Sequence, residues 1–208
     1  MLDNLVKLLG TDESVPITSL DRHRLFVRSG LTVMASLAGV GKTSYMIEQT
    51  AVWELDGYKI LHVNFDNSTS YGGTLYPPPE SLEALEKFLV LLKKDTDSKD
   101  IIIIDSLKAM LTSMELDGEI NREVMPVLQK FRRIISGTGV SIILLHHCYK
   151  PKNVKSIRAS FHGARAIEEQ CDSGFIYMRD GDEMSVEIVK SRLGHSREDI
   201  FSIGEDDE

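Results

Sequence analysis

The stretch Ser36-Leu37-Ala38-Gly39-Val40-Gly41-Lys42-Thr43 constrains this chain more than any other. Leu31–Ala35, just before it, is apolar and β-branched, the pattern of a buried strand. Tyr45–Trp53, just after it, contains no breaker and reads as a helix. Strand, glycine loop, Gly-Lys-Thr and helix, in that order, are the setting of a phosphate-binding P-loop. Gly39 and Gly41 let the backbone curl into a nest of N–H donors with no Cβ in the way. The nest lies at a helix N-terminus, where unpaired donors and the helix dipole favour an anion. Ser36, Ala38, Gly39, Val40, Gly41, Lys42, Thr43 and Ser44 are the expected phosphate contacts. Lys42 is expected to place a point charge on the β and γ phosphates, and the Thr43 hydroxyl to ligate Mg²⁺. Ser36 stands where the usual pattern begins with glycine, which alters the approach to the loop more than the cradle.

The next strong signal is Asp100-Ile101-Ile102-Ile103-Ile104-Asp105. Four consecutive isoleucines suit a parallel strand buried on both faces. Asp105 ends it, and in a P-loop protein a carboxylate there holds Mg²⁺ together with the Thr43 hydroxyl. Lys59–Phe65 reads as another strand, with Asp66 at its C-terminal end, where open α/β sheets collect their ligands. Asp66 either orients an attacking water or opens an Asx turn into the loop Ser68–Pro79. Val140–Leu145 is a further strand, and His146-His147-Cys148 follows it. That run has no zinc spacing, and adjacent side chains at a strand end point opposite ways. A single histidine facing the γ-phosphate as a hydrogen-bonding sensor fits better.

The rest of the chain is read around these signals. Ser81–Lys94 is an amphipathic helix with Leu82, Leu85, Phe88, Leu89 and Leu92 on one face. Leu107–Met114 and Glu119–Ser136 read as helical, with a bend expected at Pro126, and Ala164–Gln170 as a short helix. Gly174–Met178 and Met184–Lys190 form a β-hairpin around Asp180-Gly181-Asp182. Lys150, Lys152, Lys155 and Arg158, followed by Phe161 and His162, form a basic stretch with an aromatic. It suits single-stranded nucleic acid or is simply a solvated loop. Residues 1–27 are a lead-in with leucines at helical spacing, 28–203 a single α/β domain, and 204–208 an acidic tail.

Composition excludes several classes. The net charge of −8 argues against a surface that is basic throughout, though not against a local basic track. The longest apolar runs, Ile101–Ile104 and Ile142–Leu145, are far too short to span a membrane. The first residues carry an acid and lack a basic region followed by a cleavage site, so no signal peptide is expected. Two cysteines make no disulfide framework, so a cytoplasmic, reduced protein is expected.

The order of these features resembles the RecA-like ATPase core, and in particular the DnaB/RepA-type replicative helicase branch, over about residues 28–203. His146-His147-Cys148-Tyr149-Lys150 is similar to the HHxxK form of RepA-type ATPases, with His147 in the place of the sensing glutamine of other relatives. Phe161–Ile167 resembles the RGSGAI-like segment after the mobile DNA-facing loop, with His162 where relatives often carry arginine. Lys190-Ser191-Arg192-Leu193-Gly194 matches KxRxG, in which the lysine and arginine reach a neighbouring subunit's γ-phosphate. Asp66 is one methylene shorter than the family's glutamate.

The resemblance implies a mainly parallel sheet flanked by helices, with a C-terminal β-hairpin. It implies an ATP- and Mg²⁺-dependent homo-oligomer, a ring such as a hexamer or else a filament, with nucleotide at subunit interfaces. Lys42, Asp66, Asp105, His147, Lys190 and Arg192 become the expected catalytic set, with Arg192 acting across a subunit boundary. Lys150, Lys152, Lys155, Arg158, His162 and Arg165 become the candidates for single-stranded DNA contact. A helicase-type motor is the leading expectation. A RecA-like recombination or annealing ATPase, and a nucleotide-switched adaptor that hydrolyses little, are the alternatives.

Overall fold

The structure is a computed structural model that describes residues 17–65, 74–75, 77–96, 100–148, 161, 163 and 165–203. Its strands are β1 (Leu31–Ser36), β2 (Ile60–Asn64), β3 (Thr74–Leu75), β4 (Ile101–Asp105), β5 (Ser141–His147), β6 (Ser173–Asp180), β7 (Glu183–Ser191) and β8 (Ile200–Ser202). Its helices are α1 (Lys42–Leu55), α2 (Leu82–Thr96), α3 (Leu107–Ser113), α4 (Asn121–Thr138) and α5 (Arg165–Gln170). Among the described residues they form one eight-stranded sheet in the order β3-β2-β4-β5-β1-β6-β7-β8. Pairing is parallel from β3 to β6 and antiparallel from β6 to β8. This is the α/β sheet with a C-terminal hairpin that the sequence predicts.

The isoleucine run explains the layering. Ile102 and Ile104 point into a core shared with α2, α3, α4 and α5, whereas Ile101 and Ile103 point into a second core. That second core holds Met46 and Trp53 of α1. Both faces of β4 are therefore covered, as a continuous apolar strand requires. β1 is buried along its whole length. From its end the chain crosses to β2 on one side, while β5 leads to β6 on the other. Such a switch point opens a crevice at the carboxyl ends of the strands.

Several boundaries differ from the sequence reading. β5 continues through His146 and His147, because both stay paired with Ala35 and Ser36 of β1. β6 extends to Asp180, and β8 adds a strand on β7 that short length had hidden. α4, expected over 119–136, runs from Asn121 to Thr138 with Pro126 inside it. Leu20, Leu25, Phe26 and Val27, read as the end of the lead-in, are buried. The Trp53 indole N–H donates to the Leu20 carbonyl at 3.1 Å, and Asp21 accepts from the Leu25 and Phe26 amides. Residues from 20 onward thus share the core of the main domain. The helix expected near the N-terminus, the acidic tail and most of the loop 68–79 lie outside the described residues. Among the described residues no helix is long and apolar enough to cross a membrane.

Candidate nucleotide site

β1 delivers the chain to Ser36, whose hydroxyl donates to the Leu37 carbonyl at 2.9 Å. Gly39 and Gly41 then take φ values of 81° and 94°, the left-handed region that only glycine enters freely. Gly41 is the N-cap of α1, and no side chain caps that end. The first amides of α1 are left for an anion. Lys42 is nearly buried beside them, Thr43 and Ser44 are half-buried, Val40 is half-buried, and Ala38 is exposed.

Asp105 sits at the end of β4, two strands from β1. The Thr43 hydroxyl donates to Asp105 Oδ2 at 2.8 Å. Asp105 Oδ1 is buried and has no hydrogen-bond partner among the described residues. A buried carboxylate oxygen without a partner is costly unless something charged or protic meets it. A hydroxyl and a carboxylate side by side are hard oxygen donors, so Thr43 and Asp105 fit Mg²⁺.

Alternation on β2 puts Asn64 and His62 on the Asp105 face, the face covered by α1. The Phe65 amide donates to the Asp105 carbonyl at 2.5 Å, which ties the end of β2 to the end of β4. Burial holds the His62 imidazole below the usual histidine value, while the Asp105 carboxylate pulls it the other way. His147 is paired with Ser36 across β5 and β1, which brings it beside the start of the glycine loop. Cys148 follows, its amide donating to the Ser36 carbonyl at 3.1 Å. Burial raises the Cys148 thiol, and the nearby Lys42 charge opposes the rise.

Lys190 and Arg192 lie elsewhere. Ser173 pairs with Thr32 on one side and with Ser191 on the other, which places Arg192 near the start of β1. Arg192 Nη1 is 2.8 Å from Asp172 Oδ1. Asp172 Oδ2 accepts from the Leu31 amide at 2.9 Å and pairs with Arg132. The glycine loop leaves β1 at its other end, about 17 Å away at 3.3 Å per strand residue. Lys190 Nζ donates to the Glu168 and Glu169 carbonyls at 2.8 Å, capping the end of α5. Arg165 opens α5 and pairs with Glu169 at 3.0 Å, exposed to solvent. The chain thus brings Lys42, Thr43, Asp105 and His147 together and keeps Lys190, Arg192 and Arg165 apart from them. Asp66, Lys150, Lys152, Lys155, Arg158 and His162 lie outside the described residues.

Arg179 is a neighbour that sequence reasoning missed. A Cβ on Gly41 would lie 3.9 Å from Arg179 Nη1. The guanidinium is held by its Nε, which donates to the Gly181 carbonyl at 2.9 Å. Two residues earlier, Tyr177 stacks on Tyr45 of α1 with centroids 5.0 Å apart. The signal was available: a strand parallel to β1 must end beside the loop that β1 feeds. Ending β6 at Met178 concealed it.

No family profile matches the chain, and no curated protein matches it. Solved structures do. The chain is similar to the RadB recombinase, with a TM-score of 0.62 and 14% identity over 85% of this chain and 87% of that one. The fold is RecA-like. At that identity the likeness speaks for the architecture and does not single out the DnaB/RepA-type branch.

Proposed function

We propose that this chain is a Mg²⁺-dependent RecA-like ATPase that works on single-stranded DNA as a head-to-tail homo-oligomer, in a recombination or annealing role. The observation that carries the nucleotide reading is the Thr43–Asp105 hydrogen bond closing one side of a glycine nest. The likeness to a recombinase favours the recombination role over the helicase motor that the motifs alone suggest.

In this reading the α1 amides and Lys42 bind the phosphates. Thr43 and Asp105 hold Mg²⁺, which neutralises charge on the β and γ oxygens. Asp66 orients the attacking water, and His147 senses the γ-phosphate from the neighbouring strand. Arg179 adds positive charge beside Gly41 from the same chain. Arg192 lies at the far end of the sheet, so it serves a second copy's nucleotide rather than its own. A contact of one end on the other repeats as a closed ring or an open filament, depending on the rotation. The basic residues from Lys150 to Arg158, with His162 and Arg165, contact DNA.

The test is ATP turnover with and without single-stranded DNA, in the parent and in Lys42→Ala. Turnover stimulated by DNA and abolished in the variant is expected. Turnover that ignores DNA points to the nucleotide-switched adaptor. Displacement of a strand from a forked duplex, rather than annealing of complementary strands, restores the helicase reading.

A further inference from the structure

His62 stands at the centre of β2, between Leu61 and Val63, and its position has a use. On β2 it lies in register with Ile103, two residues before the Asp105 level. Its side chain shares the α1-covered face with Asp105. Two steps of about 3.3 Å along one strand and a spacing of about 4.8 Å between parallel neighbours put such diagonal positions roughly 8 Å apart, within reach of a histidine and a carboxylate joined by one water. On β2 and β4, two polar atoms of this face are buried and without a partner among the described residues: His62 Nε2 and Asp105 Oδ1. Both belong to adjacent strands, and the Asp105 carboxylate acts on the His62 ring, opposing the lowering that burial causes. A direct bond between them is not formed, and a buried water needs at least two polar partners, which these two atoms supply.

We propose that His62 is a positioning residue for the metal-binding carboxylate, its Nε2–H donating through one bridging water to Asp105 Oδ1. This rests on the Mg²⁺–nucleotide reading above. Asp105 is then held from two sides. Thr43 fixes Oδ2 from α1, and His62 fixes the rotation of the carboxylate through Oδ1 from β2. Oδ1 has a second lone pair and stays able to face the cation. Partners of this kind orient a ligand without touching the metal, and their loss typically weakens metal binding about 10–100-fold.

The experiment measures binding of a fluorescent ATP analogue to the full chain, in EDTA and across a Mg²⁺ titration. The variants are His62→Phe, His62→Gln and Lys42→Ala. His62→Phe is expected to raise the Mg²⁺ midpoint about tenfold while leaving affinity in EDTA within about twofold. His62→Gln, which keeps an N–H donor, is expected to restore most of the midpoint. An unchanged midpoint in His62→Phe, or an equal rise in both variants, overturns the proposal and leaves the nucleotide reading standing. Undiminished binding in Lys42→Ala overturns the nucleotide reading and this proposal with it. The ¹⁵N resonances of the His62 ring in the parent protein give a second readout that needs no core substitution. The Nε2–H tautomer is expected, and an Nδ1–H tautomer overturns the assignment.

Discussion

Arg192 meets Asp172 where the parallel strands begin, at the end of the sheet away from Gly41. The two charged halves of the expected catalytic set therefore face opposite ways in one molecule. Replacement of Arg192 by alanine is expected to leave nucleotide affinity unchanged and to remove turnover. The loss anticipated for an arginine finger is about 10³–10⁵ in rate. Undiminished ATPase activity in that variant would sink the role in a neighbouring site. Folding stability should fall by only about 1 kcal/mol, since the Arg192 side chain is half exposed.

Asp172 itself is a different matter. Its buried carboxylate accepts from Leu31 and pairs with both Arg132 and Arg192. Asp172→Ala leaves the buried Leu31 amide without its acceptor and both guanidiniums without their carboxylate, a loss of about 1–3 kcal/mol. For a chain of this size each kcal/mol lowers the melting temperature by about 2–4 °C. Differential scanning calorimetry should show the drop. Glu83→Ala, which breaks an exposed pair with Lys87, should barely move the transition.

Asp105→Asn keeps the shape of the metal ligand and removes its charge. Nucleotide binding in EDTA should persist, whereas Mg²⁺ should no longer strengthen it, and turnover should fall by at least about tenfold. A Mg²⁺ titration of nucleotide binding checks this. Unchanged Mg²⁺ dependence would argue against Asp105 as a ligand.

Gly163→Ala is expected to be costly at a position outside the phosphate loop. The residue has a φ of 101°, and a Cβ there would lie 2.5 Å from the Gly118 carbonyl oxygen. A strained backbone of this kind costs about 1–3 kcal/mol. Gly181→Ala, with positive φ but open space around it, should cost less. Chemical denaturation of the pair of variants gives the comparison.

Burial pushes the Cys171 thiol up to about 12 from its ordinary 9.0. In the unfolded chain the same thiol ionises near its ordinary value. Between these two values the native state keeps a proton that the unfolded state has released. Stability should therefore fall as pH rises from about 9 toward 12, by up to about 1.4 kcal/mol per pH unit. Melting temperatures at pH 8, 9 and 10 in the parent and in Cys171→Ala test this. The parent should show the steeper decline.

The sequence was most legible where one physical requirement excluded alternatives. A glycine loop between strand and helix, and four isoleucines ending in aspartate, left little freedom, and both stand where expected. Pairing across the sheet was harder to read. His146 and His147 belong to β5 because β1 continues beside them, which local composition does not reveal. Leu20, Leu25 and Phe26 looked like a lead-in because their partners, such as Trp53, are distant in the chain. Arg179 and His62 gain their meaning only from which strands are neighbours. The expectation of a DnaB/RepA-type branch rested on short motifs, which the RecA-like architecture accommodates without selecting it.

The central place of β1 also sets an order of events. Its neighbours are both late parts of the chain: Ser29 bonds to Ser141, 112 positions on, and Leu31 to Asp172, 141 positions on. A growing chain carries Ser36–Thr43 long before β5 and β6 exist to flank the strand that presents it. Contacts so far apart in sequence close slowly and expose apolar edges meanwhile. The cradle for phosphate is synthesised well before the strands that hold it in place, so a fragment ending before Ser173 should not gain stability from nucleotide.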